Sequence, residues 1–214
     1  MKFFEVAGFP GILGCVDGVH IPILNPGGPF SEKWRNRKNV FSINAQVIGD
    51  HDMIIRDIVS YWHGSAQDAR IFDKSSIKFR FEEGEFDGRL LGDAGYPLKT
   101  YLTTPINDPA TAQERRYNTS HKKTRILVER LFGIRKRRFP VLHYGIRFAP
   151  ERATIVIVAA AAVLHNIARN FQEQDFDTDF GLEPEQDDFP VVQNGPNGAC
   201  PTAARNSLIR DYFS

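Results

Sequence analysis

Cysteine is almost missing from this chain of 214 residues: there are 2, Cys15 in an apolar stretch and Cys200 in a polar one. Far apart and without metal-ligand spacing, they exclude a disulfide framework and a zinc module and point to a reducing intracellular compartment. Long hydrophobic runs are also lacking. The longest, Ala153 to Leu164, is bounded by Arg152 and His165. It falls short of the roughly 20 residues that cross a bilayer, so it reads as a buried core helix and no membrane is expected. The apolar stretch of the opening MKFFEVAGFPG is short and interrupted by Glu5, so no secretory signal is expected. A large charge of one sign is absent too, since the net charge is +1. That balance hides an asymmetry: basic residues crowd into 115–138 and acidic ones into 173–188, and local fields decide partners. No internal repeat is visible.

What is present, 42% apolar and 25% charged residues, suits one globular domain with extras. Gly11 to Leu24, GILGCVDGVHIPIL, predicts a Val/Ile-rich strand that bends near Asp17, although Asp-Gly is also a hairpin signal. Val40 to Ile48 and Met53 to Tyr61 predict two more strands joined by Gly49 to Asp52, giving a three-strand meander. Ala66 to Phe81 predicts a helix with Ser65 as N-cap and Asp68 in its first turn, where the helix dipole accounts for an acid. Arg89 to Asp93 is a short buried strand whose crossover position makes it parallel to the first. Thr103 to Pro109 reads as a loop, Ala110 to Tyr117 as a short helix, and Asn118 to Ser120 as the cap of a long helix that Pro140 stops. A helix over about Glu151 to Phe171, a polar linker over 172–201 and an amphipathic helix over Thr202 to Phe213 complete the chain.

Within the long helix, Arg125 to Arg138 returns Ile126, Leu127, Leu131, Phe132 and Ile134 at helical spacing, with Glu129 close to that stripe. Arg125, Arg130, Arg135, Lys136, Arg137 and Arg138 form a cationic rim of the kind a phosphodiester backbone seeks. Taken alone, Glu129 pairing with Arg125 one turn earlier accounts for it. An Asp inside a buried strand is costly without compensation, which singles out Asp17. Asp93, at the carboxyl end of its strand, lies where open sheets place their sites.

Strands, a crossover helix, a further strand and helices, with Asp17, Asp93 and Glu129 in that order, form the layout of a ribonuclease H-like α/β fold: a mixed central sheet flanked by helices. GCVDGVHI, WRNRKNVFSINAQV, HGSAQDARIF, LLGDAGYPL, the following LTTP and VERLFGIRKRRFPVL resemble successive blocks of the DDE nuclease of Harbinger-type transposases and of their domesticated derivatives, from Gly8 to about Asn170. The final RNSLIRDYF resembles the closing segment of that family. The resemblance implies a nuclease domain over 8–171 that cleaves DNA with Mg²⁺ or Mn²⁺. It assigns Asp17, Asp93 and Glu129 to the catalytic triad, Asp68 to an additional metal position, and Arg130, Arg135, Lys136, Arg137 and Arg138 to the DNA backbone. Carboxylates suit this task because these ions take hard oxygen ligands and two of them clamp an in-line displacement at phosphorus. It also implies a nuclear protein, with the cytoplasm as second compartment, a Myb/SANT-like DNA-binding partner, and a homo-oligomer.

The chain departs from the family at His63 and Gln67, where the family has Pro before Gly-Ser and His before its Asp. It also starts almost at the first catalytic strand, where the family has a helical region, so cutting specificity is the first property expected to suffer. His20, His121, His143 and His165 read as structural or surface residues. Two readings remain: a metal-dependent endonuclease, or a catalytically silent DNA- or protein-binding module that keeps the fold.

Overall fold

The computed structural model describes residues 2–171, 173 and 199–213. Its centre is β1 (Ile12–Pro22), which pairs antiparallel with β2 (Ser42–Gly49) in unbroken register from Cys15↔Gly49 to Pro22↔Ser42. Asp17 and Gly18 lie inside that ladder, so the Asp-Gly pair makes no turn. β2 continues antiparallel into β3 (Ile55–His63). The tight connection is held by Asp50, whose Oδ1 accepts from the backbone N of Asp52 and of Ile54, both at 2.9 Å. β4 (Arg89–Leu91) lies parallel to β1, as expected, and β5 (Leu102–Thr103) parallel to β4. The order is β3-β2-β1-β4-β5, a meander joined to a parallel pair. Thr103, expected to open a loop, is the second residue of β5; both residues of β5 are buried and pair with β4.

The helices depart more from expectation. An N-terminal helix, α1 (Lys2–Ala7), precedes the sheet. The crossover is two helices, α2 (Asp68–Asp73) and α3 (Ser76–Glu82). The chain breaks at Ser75, whose Oγ accepts from Lys78 N and so starts a second helix. Gln67, not Ser65, is the N-cap residue of α2. The short helix and the capped long helix expected over 110–138 are one helix, α4 (Ala112–Arg138). Thr111 and Glu114 close a capping box at its start. The expected cap residue Asn118 instead uses its side chain on the backbone of Ile106, at 2.9 and 2.7 Å. After α5 (Val141–Tyr144), α6 (Pro150–Val158) runs through a π-helical segment (Ala159–Leu164) into α7 (His165–Asn170). Over Pro150–Asn170 this rod is long and apolar enough to cross a membrane, but it buries only one side. Ala153, Ile157, His165 and Ala168 turn inward while Ile155, Val163, Leu164 and Ile167 are exposed, so it is half-buried instead of a buried core helix. The last helix, α8 (Ala199–Tyr212), begins slightly before the expected amphipathic segment. The linker expected over 172–201 falls almost wholly outside the described residues.

Strand alternation sorts β1 into two faces. Cys15, Val19 and Ile21 join Val128 and Leu131 of α4, Ile157 of α6 and Phe213 in one core. Val16 joins Ile48, Leu90, Phe72 of α2 and Ile77 and Phe81 of α3 in the other. Close approach of α4 is set at Gly49, where a Cβ would stand 2.8 Å from Leu131 Cδ2. The sheet is therefore a mixed layer between helices, with its first strand in the middle.

Candidate metal centre

Asp17 and Asp93 are brought together by register. Cys15 of β1 pairs with Leu91 of β4, and each acid lies two residues farther along its own chain, on parallel neighbours about 4.8 Å apart. Alternation turns Asp17 toward α4, and both acids act on Arg125 of that helix. Asp17 Oδ1 accepts from Gly18 N at 3.0 Å. Asp93 Oδ1 accepts from Gly95 N at 2.9 Å, in the turn that follows β4. Both side chains are buried. Burial above all raises the Asp17 carboxyl to about 7, opposed by Arg125 and reinforced by Asp93 and Asp68. Burial also raises Asp93, again opposed by Arg125. Two adjacent carboxylates that resist ionisation in this way form a site short of positive charge.

Arg125, on α4, is the charge nearest that shortage. Its Nη2 donates to Asp17 Oδ2 at 2.7 Å, so its partner is the strand acid and not Glu129 one turn away. Burial is the largest single influence and lowers the pKa of Arg125, but Asp17, Asp93, Glu129 and Cys15 together outweigh it and raise the pKa. Glu129 is exposed on the same flank of α4, with its charge felt by Arg125 and by the Cys15 thiol. It stands on the rim, not in the floor.

Asp68 approaches from the other layer. Gly18 and Asp17 face opposite sides of β1, and a Cβ on Gly18 would lie 2.3 Å from Asp68 Oδ1. Only glycine leaves room for that carboxylate, which accepts from Asn44 Nδ2 at 2.8 Å. The buried Tyr96 belongs to the same assembly: its hydroxyl reaches Gln46 Oε1 at 3.5 Å, and after burial, Asp68, Asp17 and Asp93 are what hold it protonated. Sequence reading passed over Gly18, Asn44, Tyr96 and the role of Arg125. The Asp-Gly pair inside an apolar strand was the available signal for Gly18.

The cationic rim divides. Arg130 is exposed, and Lys136, Arg137 and Arg138 are half-buried. Arg135, expected on the DNA backbone, is 1% exposed and lies in the core, where no polyanion reaches it. Among the described residues nothing accepts from its Nε or Nη1, and burial pulls its pKa down to about 10. His121 and His165 are also buried, held neutral, and bonded to Thr103 O and Met53 O. These two are structural, as expected.

The donor chemistry fits a hard divalent cation: buried carboxylate oxygens whose ionisation is opposed and which a cation would restore. Their placement is more open than a closed coordination shell. Among the described residues no three acidic, histidine or cysteine side chains close on one point.

Residues 16–166 match the family described as DDE superfamily endonuclease. The nuclease-named HARBI1 of Homo sapiens is 34% identical over 171 residues, covering 78% of this chain and 48% of that protein. HARBI1 of Xenopus laevis is 29% identical over 220 residues, covering the whole chain and 62% of the relative. Protein ALP1-like of Arabidopsis thaliana is 26% identical over 231 residues, covering the whole chain and 55% of the relative. The chain thus spans about half the length of these relatives. No solved structure matches significantly. With a match over most of its length and Harbinger-derived, nuclease-named proteins among its relatives, the chain belongs to the DDE superfamily endonuclease family.

Proposed function

We propose that this chain is the catalytic part of a divalent-metal-dependent DNA endonuclease of transposase type, with a ribonuclease H-like sheet. The observation that carries the reading is the register-matched pair Asp17 and Asp93, buried side by side, with carboxyls pushed toward protonation. Asp17 and Asp93 would hold the ion, Glu129 would add an oxygen from the rim, and Asp68, anchored by Asn44 in the opposite layer, would add its charge to the field. An Mg²⁺ or Mn²⁺ ion held there would supply the Lewis acid for activating a water or a 3′-hydroxyl and for neutralising the leaving oxygen at phosphorus. The protein positions that centre: backbone N–H groups of Gly18 and Gly95 fix the two acids. Arg130, Lys136, Arg137 and Arg138 supply a basic flank for the phosphodiester backbone, without base readout. Target selection by a Myb/SANT-like partner, a nuclear location and a homo-oligomer extend the same proposal.

The open arrangement of the acids favours a second reading, a silent DNA- or protein-binding module. A plasmid-nicking assay in Mg²⁺ or Mn²⁺ separates the two. Nicking by the chain, abolished by Asp93→Ala and by chelation, is the expected result. DNA binding without nicking in either metal would replace the enzyme with the silent module.

A further inference from the structure

Asp17 has two oxygens, and both are engaged: Oδ1 by Gly18 N and Oδ2 by Arg125 Nη2. Any cation placed on the inward oxygen of Asp17 meets the guanidinium first. Arg125 is poorly fixed for a purely structural pair. It is held by one nitrogen instead of the two-point fork that makes such pairs strong. Its Nε is buried and finds no acceptor among the described residues. It nevertheless stands within the fields of Asp17, Asp93 and Glu129 together. With all three carboxylates ionised, as a bound cation would favour, one guanidinium leaves two negative charges over, the charge of one divalent ion.

From this we infer that Arg125 is a positioning residue that stands in for the divalent cation in the unloaded site, competing with it for Asp17 Oδ2 and so setting its affinity. The inference rests on the metal-dependent reading above. In the unloaded site the single charge of Arg125 offsets part of the repulsion between Asp17 and Asp93. A divalent ion, compact and demanding hard oxygen, makes the stronger claim on the carboxylate, and the guanidinium must give up Oδ2 as the ion arrives. Loading then carries the cost of breaking one buried ion pair, and turns Arg125 away from Asp17 with its donors free.

Calorimetric titration of Mn²⁺ into the full chain and into Arg125→Gln tests this directly. The neutral, similarly sized side chain removes the competitor, so affinity should tighten by roughly tenfold, inside the ~5–150-fold range of coupled sites. Unchanged or weaker binding by a folded Arg125→Gln chain overturns the inference and leaves the metal site standing. Absence of binding to wild type and variant alike overturns the metal site and the inference with it. Should Arg125→Gln not fold, the side-chain Nε–H resonance of Arg125 in the wild-type chain gives the same answer. It should move when Mg²⁺ binds, and a resonance that stays fixed at saturating metal shows that Arg125 never released Asp17.

Discussion

Arg125 and Arg135 both lie inside the protein on the same helix, and they are opposites. Arg125 meets an Asp at 2.7 Å and sits among carboxylates, whereas Arg135 has a core position, the ring of Phe132 beside it, and no acceptor for two of its nitrogens among the described residues. One buried cation compensates a functional cluster, while the other is a cost that packing elsewhere must offset. The same substitution at the two places should therefore act with opposite sign. Arg125→Leu leaves Asp17 buried and uncompensated and is expected to destabilise the metal-free protein by about 3–5 kcal/mol in urea denaturation, the usual consequence of removing one partner of a buried pair. Equal stability of variant and wild type would mean that the Asp17 carboxyl is protonated in the folded protein.

Arg135→Leu fills a core position with an apolar side chain of smaller volume and removes donors that find no acceptor. A gain of about 1–3 kcal/mol is expected, offset in part by the space left behind. A loss of that size in the same denaturation series would show that Arg135 is satisfied by a group outside the described residues. Together the two variants test whether position on α4 or pairing decides the energetics.

The pH dependence sharpens the same contrast, since His165 of α7 lies within the field of Arg135. Burial first, then Arg135, Arg138 and Arg169, lower its pKa to about 4, against the bond to Met53 O. A histidine depressed in the folded state gives stability that is whole above its ordinary value of about 6.5 and is lost as pH falls toward the folded value. Asp17, raised to about 7, works the other way: the folded state holds its proton more tightly, so stability falls as pH rises from about 4 to 7. The two slopes oppose in wild type between pH 4 and 6.5, along with that of His121, held neutral as well. Substituting His165→Gln should remove one term and save about 1–2 kcal/mol of the stability lost between about pH 6.5 and 5. Melting temperatures across that range check it, and parallel curves for variant and wild type would refute a neutral buried His165.

Much of the fold was legible because strands announce themselves by apolar runs. The meander, the parallel β4, and the acids within β1 and just past β4 follow from where Asp17 and Asp93 interrupt buried segments. The orientation of α4 was not legible. Its apolar residues Ile126, Leu127, Leu131, Phe132 and Ile134 suggested one face; of these Leu131 alone is fully buried, and the face inside is Tyr117, Ser120, His121, Thr124, Val128, Leu131 and Arg135. Polar residues occupy it because each except Arg135 finds a bond, as Thr124 does with Ser120 O and Tyr117 with Thr104 O. Hydrophobic periodicity cannot register a buried position whose polarity is satisfied by a partner distant in sequence. The pairing of Arg125 with Asp17, across most of the domain, escaped for the same reason: Glu129 was the near neighbour and the strand acid the actual one. The crossover split at Ser75 and the continuity of α4 turned on single side-chain caps, which compete almost evenly with helix propagation.

The rim gives the smallest and most specific test. Arg130 is exposed on α4 and Arg135 is enclosed, although both were grouped as backbone contacts. Each cation that neutralises a phosphate contributes close to one unit to the slope of log affinity against log salt. Arg130→Ala should therefore reduce that slope by about 1 and weaken binding to any duplex by the same factor, since a phosphate contact carries no sequence information. Arg135→Leu, folded and expected to be more stable than wild type, should leave the slope as it is. Titrating a labelled duplex at several salt concentrations separates them: equal slopes for Arg130→Ala and wild type would remove this flank of α4 from the DNA surface, and a reduced slope for Arg135→Leu would mean that DNA binding opens the core around α4.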